Sequence, residues 1–131
     1  MVKRQLNRDD LVYPELSYKI VGVLFDVYND LGYGLKESYY QNAVSIKLKE
    51  VSLKFSEQVY YPFEYKGKKI GNNYFDFLIE DKIVLEIKRG DKFSKSHIDQ
   101  VYNYLTLSNL KLGILAYFSP KNIHFKRIIN L

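Results

Sequence analysis

The chain has 131 residues, 47% of them hydrophobic, which is one domain's length with enough apolar content for a single core. No apolar run reaches membrane-spanning length, so no membrane association is expected, and the absence of cysteine excludes disulfides and thiolate metal sites and fits a reducing cytoplasm. Twenty Lys and Arg against fifteen Asp and Glu give a net charge of +5, which leans toward anionic partners, and two histidines, His97 and His124, are too few for a zinc centre.

Residues 1–10 are polar and charged, lack the apolar core of a signal peptide, and are expected to form a flexible arm before a single domain over 11–131. A first helix begins at Pro14 or Ser17: proline suits a first-turn position, and Ser17 could cap. Leu16, Ile20, Val23, Leu24, Val27 and Leu31 recur at helical spacing until Gly32 stops the run. After the break Gly32-Tyr33-Gly34, a second helix is predicted over 35–50, with Tyr39, Ala43, Val44 and Ile46 toward the core. Glu37 falls in its first turn, where an acid complements the helix dipole, and Tyr40 and Gln41 lie on the same side.

Lys54 to Tyr65 is rich in aromatic and β-branched residues and predicts a strand, with Pro62 marking an edge or a bulge. Lys66-Gly67-Lys68-Lys69 and Gly71-Asn72-Asn73 are turn material. Tyr74 to Arg89 then holds two alternating runs around Glu80-Asp81-Lys82, the pattern of a hairpin. Phe75, Phe77 and Ile79 share one face with Ile83, Leu85 and Ile87, while the other face carries Tyr74, Asp76, Leu78, Val84, Glu86 and Lys88. A turn centred on Asp81 sets Asp76 directly opposite Glu86.

Polar-out alternation is ordinary in antiparallel sheets, and a solvent-facing hairpin is the simpler account of it. Yet two carboxylates opposed across a strand pair repel, and they become favourable if a divalent cation sits between them. Lys88 projects from the same face, so two acids and one lysine converge.

A basic loop after Gly90 leads to a third helix over 96–108, with Ser96 and Asp99 as a capping box. Ile98, Val101, Tyr102 and Leu105 form its buried stripe, and His97, Gln100 and Tyr104 share an adjacent face. Lys111 to Phe118 is a near-continuous apolar run, the mark of a central strand, and Ile123 to Ile129 closes as an alternating strand after the turn Ser119-Pro120-Lys121-Asn122. The order ααβββαββ predicts an α/β (α+β) domain, a mixed sheet of about five strands with helices packed on it. Charge is uneven along it: Lys82, Lys88, Arg89, Lys92 and Lys95 gather around the hairpin, and no acid follows Asp99.

With those elements placed, the chain resembles the PD-(D/E)XK nuclease superfamily, whose signature stands as Asp76, nine residues, then Glu86-Ile87-Lys88. More narrowly it is similar to the small proteins named for a GxxExxY motif, here Gly34-Leu35-Lys36-Glu37-Ser38-Tyr39-Tyr40, with Gln100 and Tyr104 matching the helix after the active strand. Phe75 stands where the superfamily's name has proline. The resemblance spans residues 11–130 and implies a restriction-endonuclease-like core and a Mg2+- or Mn2+-dependent nuclease acting on nucleic acid, DNA ahead of RNA. It implies Asp76, Glu86 and the Ile87 carbonyl as metal ligands, with Glu37 as a further ligand or water-positioning group. Lys88 would orient water and stabilise phosphate charge, and Gln100 would line the site. By analogy with minimal folds of this kind, a homodimer is expected. The alternative is a nuclease-like fold that binds nucleic acid or a protein without cutting.

Overall fold

The computed structural model describes residues 12–131, so the arm expected over 1–10 lies outside the described residues. Among the described residues, three helices and five strands follow in the predicted order: α1 (Pro14–Leu31), α2 (Glu37–Glu50), β1 (Phe55–Tyr65), β2 (Lys68–Ile79), β3 (Ile83–Arg89), α3 (Lys95–Ser108), β4 (Leu112–Phe118) and β5 (Ile123–Ile129). The strands form one sheet in the order β1-β2-β3-β4-β5. Neighbours are antiparallel except β3 and β4, which the α3 crossover makes parallel. α1 and α2 cover one face of the sheet and α3 the other, so the mixed sheet is the middle layer of three.

Helix α1 starts with Pro14 in its first turn, and Ser17 is an interior residue that is buried rather than a cap. Ile20, Val23, Leu24 and Val27 are buried, while Leu31 at the end of the predicted stripe is exposed. Gly32 ends the helix with φ 68°, and its N–H donates to the Tyr28 carbonyl at 2.8 Å.

In α2 the buried stripe is Tyr40, Val44 and Leu48; of the predicted set Val44 is buried and Ala43 packs against the core, while Tyr39 and Ile46 are exposed. The i, i+4, i+8 spacing explains the choice. Tyr40 decides the phase. Its ring stacks on Phe118 with centroids 4.2 Å apart. Its hydroxyl donates to the Gly32 carbonyl at 2.6 Å and accepts from the Leu35 N–H at 3.3 Å. One side chain therefore closes the loop between the two helices onto the core.

The β1–β2 hairpin is longer than its turn residues suggested. Only Lys66 and Gly67 turn, both at positive φ (49° and 78°), as a two-residue type I′ connection demands. Gly71-Asn72-Asn73 lies within β2, paired with Phe63, Pro62 and Tyr61. β1 is an edge strand with a bulge at Phe63/Glu64, beside Pro62 as that residue implied. The second hairpin turns through Glu80 and Asp81, both at positive φ, and the Glu80 carboxylate holds the Lys54 N–H at 2.6 Å.

Two apolar layers sandwich the sheet. Phe77, Ile79, Ile83, Leu85 and Ile87 pack with α1 and α2, whereas Val84, Leu115, Tyr117 and Ile128 pack with Val101, Tyr104 and Leu105 of α3. In α3, Tyr104 takes the core position expected for Tyr102, which is exposed. The helix is preceded by Ser94, whose hydroxyl meets the Ser96 hydroxyl at 2.8 Å, and the expected Ser96–Asp99 capping box does not form. All seven residues of β4 are buried, as its apolar run predicted.

Close approach of α3 to the sheet depends on Gly113. A Cβ there would lie 2.5 Å from Val101 Cγ1, well inside van der Waals contact, and a β-branched side chain on a helix has little rotamer freedom to yield. Gly113→Ala is expected to destabilise the fold by about 1–3 kcal/mol in chemical denaturation. Adding Val101→Ala to that variant should recover part of the loss, a non-additivity that independent sites would not give.

Candidate active site

The site forms where β2 and β3 come apart. Their ladder pairs Ile79 with Ile83, Leu78 with Val84 and Phe77 with Leu85. Asp76 and Glu86 come next in that register, and there the side chains take over from the backbone. The Asp76 N–H donates to Glu86 Oε1 at 2.8 Å, and the Ile87 N–H donates to Asp76 Oδ2 at 2.8 Å. Each carboxylate spends one oxygen on the opposite strand and keeps another for a ligand.

The β1–β2 ladder is interrupted at the same place. Pairing between β1 and β2 passes from Glu57–Phe77 directly to Val59–Phe75, and Gln58 between them has φ 48°. The kink also reverses the expected alternation. Phe75 packs beside Tyr104 on the α3 side, ring centroids 5.2 Å apart, instead of sharing a face with Phe77. Because a residue's N–H and C=O leave a strand on the same side, the Ile87 carbonyl opens into the gap that Asp76 enters.

Electrostatics follow from burial. Glu86 is only 4% exposed and Asp76 is half-buried. Burial raises the pKa of Glu86, the Asp76 charge raises it further, and together they push it up to about 8. Asp76 is also raised, chiefly by burial and then by Glu37, against the pull of the Ile87 N–H, the Lys88 charge and the Gln41 side chain. Lys88, half-buried two residues beyond Glu86, favours the ionised form of both acids. Glu37, from the first turn of α2, adds a like charge to both.

Helix α3 closes the other side. Gln100 Nε2 donates to the Tyr104 hydroxyl at 2.8 Å, which in turn donates to the Tyr74 carbonyl at 3.2 Å. Burial and the Glu86 charge push the Tyr104 pKa up to about 12, so the phenol stays neutral. Gln100 therefore meets the carboxylates through Tyr104.

Asp76, Glu86, the Ile87 backbone, Lys88 and Glu37 thus converge, with Gln100 one side chain removed. Two neighbours carry weight the sequence did not assign them. Gln41 leans on Asp76 from one turn beyond Glu37, a position legible from the i, i+4 spacing although its target was not. His97, set aside as a zinc ligand, hydrogen-bonds the Tyr117 hydroxyl through Nδ1, and its pKa is lowered by burial and by Lys88. Tyr117 is paired with Lys88 across β3 and β4 and also accepts the Ser94 N–H at 3.2 Å. Nothing in the local sequence joins positions 88, 97 and 117, since only strand register and the crossover bring them together.

Among the described residues, no three His, Cys, Asp or Glu side chains make a complete metal cage. Two carboxylates and a backbone carbonyl are an all-oxygen donor set, suited to a hard cation that retains waters and binds substrate oxygens.

The raised Glu86 pKa fixes a sign. The folded chain keeps a proton that the unfolded chain releases near pH 4.5, so this group's contribution to stability is complete below that pH and is lost as pH rises toward 8. In metal-free buffer, Glu86→Gln is expected to match the wild type near pH 4.5. Above pH 8 it should exceed it by about 1–3 kcal/mol in thermal or urea unfolding.

No curated protein matches the chain. Among solved structures, one titled "Crystal structure of SSO0001" superposes with a TM-score of 0.55 at 22% identity, covering 99% of this chain and 70% of that one, a likeness of fold. The sequence from 14 to 128 matches the family model described as the PD-(D/E)XK nuclease superfamily, a span that takes in every element from α1 through most of β5 and both acids of the site. The mixed five-stranded sheet flanked by helices is the restriction-endonuclease-like fold, and the chain belongs to the PD-(D/E)XK nuclease superfamily.

Proposed function

We propose that the chain is a metal-dependent nuclease hydrolysing phosphodiester bonds in nucleic acid, DNA ahead of RNA, and that it stands with the GxxExxY proteins within the superfamily. One observation carries the reading. A buried Glu86 faces a half-buried Asp76, with Lys88 two residues beyond Glu86 on the same strand, an arrangement that costs stability and serves no packing need.

Mg2+ or Mn2+ fits the donor set, with Asp76, Glu86 and the Ile87 carbonyl as ligands and Glu37 as a further ligand or water-positioning group. When bound, the metal supplies charge against the phosphate and lowers the pKa of a water. The chain's own groups do the rest. Asp76 and Glu86 fix each other's orientation through the opposite backbone, so little reorganisation remains. Lys88 orients the attacking water and stabilises the charge that builds on the phosphate. Gln100 and Tyr104 hold the α3 wall of the site at the Tyr74 carbonyl.

The GxxExxY spacing acquires a physical sense under this reading. Gly34 sits at φ 112°, where a side chain would be strained; Tyr40 anchors the loop to Phe118; and Glu37 between them faces the acids.

The test is cleavage of labelled single-stranded, duplex and branched DNA, and of RNA, with magnesium, manganese or chelator. Metal-dependent cutting that Lys88→Ala lowers by about 10²–10³-fold is expected. Binding without cutting by either protein would favour a non-cleaving module instead. Separately, magnesium should raise the Tm of the wild type and leave that of Asp76→Asn unmoved.

A further inference from the structure

We propose that the β1–β2 hairpin is a stacking platform for unpaired nucleotides, so that the substrate reaches the carboxylates through a single-stranded segment. This rests on the nuclease reading and narrows its substrate.

The hairpin outruns the sheet. β1 and β2 have 11 and 12 residues against 7 in β3, and β2 pairs with β3 only through Phe77, Leu78 and Ile79. In the projecting part, Val59 and Tyr61 face α3, with the Tyr61 hydroxyl on the Leu107 carbonyl. Tyr60 between them faces the opposite way, together with its cross-strand partner Tyr74. Those two rings are 40% and 55% exposed, with centroids 5.1 Å apart and planes tilted by 42°. Their orientation is held: the Tyr60 hydroxyl donates to Asn72 Oδ1 at 2.7 Å, and Lys69 Nζ lies 5.2 Å from the Tyr60 ring centre.

Charge selects the partner. From Tyr60 to Tyr74 the hairpin carries Lys66, Lys68 and Lys69 against Glu64 alone. Exposed aromatic faces with lysines beside them match a strand that offers base faces and phosphates together. A duplex hides its base faces in its own stack, so the platform discriminates in favour of unpaired bases. Tyr74 stands two residues before Asp76, about 7 Å along the strand. Its carbonyl receives the Tyr104 hydroxyl of the site wall, so the platform's Tyr74 and the site's Asp76 lie on one strand that α3 holds.

The experiment measures fluorescence anisotropy of labelled single-stranded DNA, single-stranded RNA and blunt duplex DNA with the full chain in chelator, where no cutting competes. The wild type is expected to prefer the single strands. Tyr60→Ala/Tyr74→Ala should weaken single-strand binding by about tenfold or more while duplex binding changes little. Tyr60→Phe/Tyr74→Phe, which keeps both ring faces and loses only the Asn72 bond, should retain most of the single-strand affinity, and Tyr18→Ala, an exposed tyrosine on α1, should have no effect. Unchanged single-strand affinity in the folded double alanine variant would overturn the proposal. So would a loss of self-association in that variant without loss of single-strand affinity, which would assign the rings to a second copy of the chain. Failure of the nuclease reading is separate: it would appear as absent metal-dependent cleavage with single-strand preference intact.

Discussion

Everything in this structure answers to a defect in its sheet. At Asp76 and Glu86 the backbone ladder between β2 and β3 gives way, and each carboxylate accepts a backbone N–H of the opposite strand. The exchange solves two problems at once. Buried amides at the parting strands find acceptors, and two acids that repel are kept from turning away, since each holds a hydrogen bond the other's strand needs. Their raised pKa values come chiefly from burial, to which the Asp76 charge adds at Glu86 and the Glu37 charge at Asp76. The surrounding elements bring Lys88, Glu37, Gln41 and the Tyr104–Gln100 pair to that opening. The central strands, with the seven-residue β4 buried throughout, hold that opening in place.

The fold was legible because its signals are local and periodic. Element order, the parallel pair implied by the α3 crossover, the edge character of β1 at Pro62 and the burial of β4 all follow from hydrophobic period and turn chemistry. The misreadings share a cause, which is that tertiary contacts choose between near-equivalent faces. Tyr39 and Tyr40 are adjacent, and either could have been buried; the Phe118 ring and the Gly32 carbonyl chose Tyr40. Tyr102 and Tyr104 were settled likewise by Phe75 and the Tyr74 carbonyl. Gly71-Asn72-Asn73 has the composition of a turn, yet the tighter Lys66-Gly67 connection took the reversal and drew it into the strand.

The pairing of Asp76 with Glu86 could be read from strand register, but its form could not. Alternation assumes a continuous ladder, and a carboxylate that replaces a ladder bond breaks the assumption at the residues of most interest. Phe75 crossing to the α3 side is the visible result. His97 and Tyr117 were out of reach for another reason: twenty residues and a crossover separate them, and no period links them to Lys88.

Tyr40 shows how thin the boundary between scaffold and chemistry is here. Between the sheet that carries two of the acids and the helix that carries the third, one phenol ties sheet, helix and loop together, its ring on Phe118 and its oxygen on Gly32 and Leu35. Geometry at the acids is thus stored in a residue with no part in the chemistry. In a lineage of such chains, the trace of a decaying site would be sought first in the loop at Gly34 and at that tyrosine, because their loss disarranges Glu37 while every acid is still present in the sequence.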